Sequence, residues 1–174
     1  MKRLLIFILL VLLSAILFLC YLSNEDKRLI SNYEIMISDH MDEYANTNFR
    51  VFDNLEKSDD IFKAIKGNNL MLKSLNKSLD ENLKNFDCDN ANFESNRYLL
   101  KSSKDYFEKA LLAGKEISAE LDRANQDNFS VNDYLALKLK LTEVHQNCMK
   151  GKNELNKLKQ ENDSACSLIK IALQ

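Results

Sequence analysis

From residue 30 onward, apolar residues recur at alternating spacings of three and four, the pattern of helices that bury one face. The first seam consists of Ile30, Ile37, Met41, Tyr44, Val51, Leu55, Phe62, Ile65, Leu72, Leu79, Leu83 and Phe86. Two further seams run over residues 93–124 and 134–172, and mainly polar stretches at 87–90 and 126–129 separate the three. The pattern predicts helices over 50–86, 92–125 and 131–172, with Ser130 and Asp133 as a capping box for the last.

The first 22 residues follow a different pattern. Lys2 and Arg3 precede an unbroken apolar run over residues 4–22, in which Ser14 is the only polar member. About 19 residues at ~1.5 Å each span roughly 28 Å, close to the hydrocarbon thickness of a bilayer. No small-residue cleavage motif follows, so we expect a retained transmembrane signal anchor. The positive-inside rule then places residues 1–3 in the cytoplasm and the body outside it, as a single-pass membrane protein.

Cys20 supports a different interpretation of the same segment. The sequence from Leu17 to Cys20 resembles the lipobox of bacterial lipoproteins, which implies a lipid-modified Cys20 as the mature N-terminus. Leu17 fits that pattern, whereas Leu19 stands where a small residue is usual. A retained anchor, lipidation at Cys20 and ordinary cleavage are therefore three alternatives, and all of them deliver the body across a membrane.

The composition favours an all-α protein. The chain has no proline and only three glycines, whereas sheet proteins need turn residues at regular intervals. About 150 residues remain beyond the apolar segment, enough for one domain with a hydrophobic core. The net charge of −2 gives no basic footprint for nucleic acid.

Short connections make successive helices antiparallel, so the seams predict an elongated, coiled-coil-like three-helix bundle over residues 50–174. Residues 23–49 are left over, and we expect them to continue the membrane helix outward as a helical stalk. A break near residues 45–48 would instead fold this segment back as a fourth bundle helix. No proline or glycine lies there to force such a turn.

A free stalk would expose an apolar stripe formed by Ile30, Ile37, Met41 and Tyr44. The nearest partner for that stripe is the same stripe on a second copy held in the same membrane. The sequence therefore predicts a parallel homo-oligomer formed through these four residues.

The antiparallel arrangement brings Cys88 and Cys166 to the same end of the bundle. An extracytoplasmic compartment permits oxidation, so we predict a Cys88–Cys166 disulfide, with two free thiols as the alternative. Cys148 lies on a seam and is expected to pack as a small apolar residue. Asn76 and Asn162 also lie on seams, where a buried amide can fix helix register.

No phosphate-binding loop, nucleophile elbow, HExxH, EF-hand or C-x-x-C motif occurs in the sequence. We therefore predict no catalytic residue, no cofactor and no metal site. Phe129, in the turn before the last helix, is the candidate contact for an unidentified protein partner. The expected function is a non-enzymatic, membrane-anchored bundle that acts by protein interaction in the periplasm or at the cell surface. The alternatives are a surface lipoprotein or adhesin anchored by lipid on Cys20 and an extracytoplasmic ligand-sensing domain.

Overall fold

A computed structural model of the protein describes the backbone of residues 2–57, 61–124 and 130–172. Side chains are described for residues 4–51, 53, 67–123, 130 and 132–162. The described chain is helical throughout apart from short connections, which confirms the all-α prediction.

Five α-helices account for the described chain. Helix α1 (Lys2–Tyr33) passes through a π-helical turn (Glu34–Ser38) directly into α2 (Asp39–Lys57), so these elements form one continuous rod. Helix α3 (Ile61–Asn85) follows, then a short 3₁₀ turn (Cys88–Asn90), α4 (Glu94–Ala124) and α5 (Val131–Ala172). The absence of proline leaves no obligatory break within any of these long helices.

The rod, α3, α4 and α5 form a four-helix bundle in which each element is antiparallel to the next. Rising residue numbers on one helix pair with falling numbers on its neighbour. Representative hydrogen-bonded pairs are Tyr44 with Asn76, Asn82 with Met36, Asn69 with Ser118, Lys104 with Phe86, Ser103 with Gly151 and Asn96 with Asn162.

All four elements contribute to one hydrophobic core. Each fully buried Leu or Ile contributes about 1.5–3 kcal/mol relative to an exposed one, so the core dominates the stability of the bundle. The largest fully buried side chains are Tyr33, Tyr44, Phe107, Ile37, Met41, Leu72, Leu79, Leu83, Leu100, Ile117 and Leu121.

The predicted free stalk is wrong, because residues 23–49 belong to the bundle. Ile30 is 4% exposed, and Ile37, Met41 and Tyr44 are 0% exposed, all within the core of their own chain. The stripe expected to join two copies therefore has intramolecular partners, and the physical reason for a homo-oligomer through these four residues is gone. The fourth-helix alternative describes the architecture, although the chain does not turn at residues 45–48.

The single helix predicted over residues 50–86 is also wrong. Helix α2 ends at Lys57, and α3 begins at Ile61 and runs in the opposite direction. The apolar spacing continues in phase from Val51 to Leu72, and both side chains are buried. A short connection that preserves the heptad phase hides the reversal from an argument based on periodicity alone.

The π turn changes which residues face the core. The predicted seam passed through Glu34, but the buried residue is Tyr33, and Glu34 lies at the edge of the bundle, paired with Lys159. A π turn holds one residue more than an α-turn, so the buried face shifts along the sequence at this point.

Candidate site at the end of the bundle beside the apolar helix

The first part of α1 projects from the bundle with its apolar side chains uncovered. The large side chains of residues 4–13 are 46–70% exposed, and no charged residue lies between Arg3 and Glu25. Within the described residues, this is the one helix long and apolar enough to cross a membrane. Such a surface is unfavourable in water, and a lipid environment would satisfy it.

Asp26 is the first charged residue of the rod that is fully buried, and it caps α4 from a distance in sequence. Its Oδ1 accepts hydrogen bonds from the backbone N–H and the side-chain amide of Asn92, at 2.7 and 2.9 Å. Its Oδ2 accepts from the backbone N–H of Phe93 at 3.1 Å and from Asn96 Nδ2 at 2.6 Å. Helix N-termini present unsatisfied N–H groups and partial positive charge, so a carboxylate stabilises this helix start.

Asn96 extends this network to α5. Asn96 Nδ2 donates to Asn162 Oδ1 at 3.3 Å, and Asn162 Nδ2 donates to Asn96 Oδ1 at 3.1 Å and to the Leu158 carbonyl at 2.9 Å. Both amides are buried. We call Asp26, Asn92, Asn96 and Asn162 the base layer, because they join the rod, α4 and α5 at the end from which the apolar helix projects.

A cleft of about 230 Å³ opens beside the base layer. It combines apolar groups at the end of the projecting segment with polar groups of α4 and α5. The lining residues are Leu19, Ser23, Phe93, Ser95, Asn96, Glu161 and Asn162. The cleft is open to its surroundings at the end of the bundle from which the apolar helix projects.

About two helical turns above the base layer, aromatic rings pack together in the core of the bundle. The Tyr33 ring lies edge-on to Phe86, with centroids 4.8 Å apart, and is stacked with Phe107 at 6.3 Å. Tyr33 Oη donates to Ser103 Oγ at 3.1 Å, and Ser103 Oγ donates to the Gly151 carbonyl at 2.8 Å. Phe107 packs directly on Gly151, where a Cβ atom would collide with the ring. We call Tyr33, Phe86, Phe107 and Gly151 the aromatic layer.

The described cysteines are free thiols. Cys88 and Cys148 are buried, and burial raises the pKa of Cys88 to about 11 and that of Cys148 to about 12. No disulfide is formed at Cys88, so the predicted Cys88–Cys166 bridge has no support, and the side chain of Cys166 lies outside the described residues. Cys20 is half-buried at the end of the projecting segment.

Across the described residues, no group of three or more His, Cys, Asp or Glu side chains could hold a metal ion. His40 and His145, the two histidines of the chain, are exposed on different helices. Phe129, the predicted contact for a protein partner, lies outside the described residues.

Most of the base layer has no clear signal in the sequence. Asn162 was predicted to lie on a buried seam, and its burial is confirmed. The polar residues just before α4 do not cap it, since Asp89 pairs with Lys101 and Asp87 caps the short 3₁₀ turn. The one sequence signal for the base layer was a carboxylate on the rod's buried face, three residues after Ser23 and four before Ile30.

Comparison of the chain with protein-family models, curated proteins and solved structures finds no match. The function is therefore inferred from the geometry of the bundle and its base.

Proposed function

We propose that the protein is a non-enzymatic, membrane-anchored helical bundle that acts by contact with another protein on the extracytoplasmic side of the membrane. The observation that carries the proposal is the continuity of the rod. The apolar segment enters the bundle within one helix, and the first buried residue, Ser23, follows it directly. Such a connection would hold the bundle at a fixed height and orientation above the bilayer, without a flexible tether.

The base layer supports this role because it ties the anchor to the rest of the body. A tilt or rotation of α1 moves Asp26, whose carboxylate holds the start of α4, and Asn96 passes the constraint to α5. A rigid connection of this kind suits a protein that presents a binding surface in a defined position.

Membrane attachment is tested with the full chain and a matched anchor variant. We expect the protein to remain in the membrane pellet after alkaline carbonate extraction. The double substitution Leu9→Arg and Leu13→Arg places two charges in the apolar segment, each costing about 2.5–3.5 kcal/mol at the centre of a membrane helix. That variant should be released with its bundle intact by circular dichroism, and release of the unmodified chain would refute membrane attachment.

The orientation is tested separately in intact cells. Asn153 is exposed on α5 within the bundle, so Asn153→Cys provides an accessible thiol. A membrane-impermeant maleimide should label this variant more strongly than the parent chain, since Cys88 and Cys148 are buried. Labelling that appears only after the cells are permeabilised would place the bundle in the cytoplasm.

A lipid-anchored surface protein is the second candidate, and the exposed state of the apolar segment favours it. Because the buried residues of the rod begin at Ser23, removal of residues 1–19 would leave the core of the bundle complete. Mass spectrometry of the mature N-terminus separates the two candidates. An intact N-terminal peptide supports the retained anchor, whereas an acylated Cys20 supports the lipoprotein.

An extracytoplasmic ligand-sensing domain is the third candidate, and the cleft beside the base layer is the feature that favours it. Its mixed lining could receive a small amphiphilic molecule. Ser95→Trp would fill the cleft without touching the core, so loss of a ligand-dependent thermal shift in this variant alone would support sensing.

A further inference from the structure

We infer that the last turns of α5, residues 163–172, enter the membrane interface beside the anchor, so that the protein contacts the lipid surface at two points. This inference rests on the proposed membrane attachment. The partner of this helix end is the lipid bilayer.

The base layer fixes the relative height of the rod, α4 and α5. Asn96 joins Asp26 and Asn162, so these residues of the rod, α4 and α5 lie at one level. Helix α5 continues from Asn162 to Ala172, and ten residues of helix cover about 15 Å. Counted back along the rod, the same ten residues lead from Asp26 to Ile16, which is well inside the apolar segment.

The helices differ in how far they extend below the base layer, towards the apolar segment of α1. Helix α4 begins at Glu94, and α3 ends at Asn85, so neither continues beside the anchor. Helix α5 runs antiparallel to the rod and packs on α1. Among the described helices, α5 is therefore the one that can accompany the anchor towards the bilayer.

The side chains of the apolar segment are not uniformly exposed. Over residues 4–21, Ile16 and Cys20 are half-buried and all other side chains are exposed. Together with Ser23 they follow helical spacings of four and three, and they continue the face that Asp26 and Ile30 bury against the bundle. The face that meets the bundle thus extends about two turns into the apolar segment.

The sequence at the end of α5 is mostly apolar. Between positions 165 and 173 the only polar residues are Ser167 and Lys170. An apolar helical end with a single lysine suits the boundary between headgroups and acyl chains, because the lysine stem can extend to the polar side.

The chain contains no tryptophan, so a single introduced tryptophan reports its own depth without background. We would reconstitute the full chain in phosphatidylcholine vesicles that carry bromine near the headgroup end of the acyl chains, which quenches nearby tryptophan. Leu168→Trp is the reporter, and Ile171→Trp is a second reporter in case the first variant loses helicity. Lys157→Trp, on the same face three turns earlier, is the matched control within the bundle, and Tyr21→Trp reports on the anchor.

We expect brominated lipid to reduce the emission of Tyr21→Trp and of Leu168→Trp or Ile171→Trp by a factor of about two, with little effect on Lys157→Trp. If Tyr21→Trp is quenched and both α5 reporters behave like Lys157→Trp, the second contact is refuted and the anchor stands. If Tyr21→Trp is also unquenched, membrane attachment itself fails and the second contact fails with it.

Discussion

The base layer and the aromatic layer lie about 10 Å apart on the same rod, at Asp26 and Tyr33, and they hold the bundle by different means. At the base, a buried carboxylate accepts four hydrogen bonds from the start of α4. In the aromatic layer, the rings of Tyr33 on the rod, Phe107 on α4 and Phe86 just after α3 fill the core, and Gly151 makes room for Phe107. Directional hydrogen bonds to a carboxylate hold the base layer together, whereas close packing of side chains holds the aromatic layer together.

The two layers fix different features of the bundle. The aromatic layer sets how closely the helices approach one another, since volume and contact decide its energy. The base layer sets the height of α1 relative to α4 and α5, because hydrogen bonds to Asp26 are satisfied only when these helices are in register. The projecting apolar segment of α1 is therefore coupled to the body mainly through the base layer.

The largest effect is expected from removal of the Asp26 carboxylate. Asp26→Ala leaves the N–H groups of Asn92 and Phe93 and the Asn96 amide without their acceptor, at a cost of about 3 kcal/mol. Urea unfolding of the detergent-solubilised protein measures the loss. Asp39→Ala, an exposed carboxylate on the same rod, is the control and should change stability by less than about 0.5 kcal/mol. Equal effects of the two substitutions would show that Asp26 is not a structural cap.

The glycines provide a test of shape in the core. Gly151→Ala places a Cβ in the ring of Phe107, and Gly114→Ala places one against the buried Tyr44 hydroxyl. Each should destabilise the protein by about 2 kcal/mol through overpacking. Gly67→Ala is the matched control, because no atom lies within 4 Å of the added Cβ. It should be neutral or stabilise α3 by up to about 1 kcal/mol, and destabilisation by Gly67→Ala alone would contradict this packing.

Tyr33→Phe separates the ring from its hydroxyl in the aromatic layer. The substitution keeps the contacts with Phe86 and Phe107 but removes the hydrogen bond to Ser103. We expect a loss of about 1 kcal/mol in the free energy of unfolding, because Ser103 still donates to the Gly151 carbonyl. A loss as large as that of Asp26→Ala would mean that hydrogen bonding, and not ring packing, dominates this layer.

The smallest effect concerns alkaline pH. Burial raises the pKa of Cys148 from 9.0 to about 12 and also raises the pKa of Tyr33 and Tyr44. The folded state then holds protons that the unfolded state has lost, so stability is complete below pH 9 and falls as the pH rises above it. For Cys148 the loss at pH 9.5 is about 0.8 kcal/mol. Cys148→Ala should flatten the decline between pH 9 and 10.5, and an unchanged slope would show that this thiol does not contribute.

The parts of the fold that could be predicted from the sequence depend on local signals. Helices α4 and α5 begin and end within two residues of the predicted bounds. The capping box also forms, with Ser130 N–H donating to Asp133 Oδ2 at 2.7 Å and Asp133 N–H donating to Ser130 Oγ at 3.3 Å. Apolar periodicity and helix caps lie within a few residues of the feature that they determine, so one sequence suffices to identify them.

The features that could not be predicted depend on residues far apart in the sequence, or on an apolar heptad pattern that continues unchanged where the chain reverses. The cap of α4 comes from Asp26, more than sixty residues before it, and no local motif marks such a pair. The reversal after Lys57 keeps the heptad phase, so the seam alone could not reveal it. The four residues predicted to join two copies are buried within their own chain. An apolar face does not specify whether its partner is another copy or another helix of the same chain.

Hydrogen exchange along the rod tests the central claim most directly, which is that the anchor and the bundle are one continuous helix held by Asp26. The full chain in lipid nanodiscs would be followed by mass spectrometry, with peptides that cover residues 16–30. The account predicts slow exchange across this whole range, with faster exchange at residues 22–30 in Asp26→Ala. Fast exchange at residues 21–25 in the unmodified protein would reveal a hinge between anchor and bundle and would contradict the account.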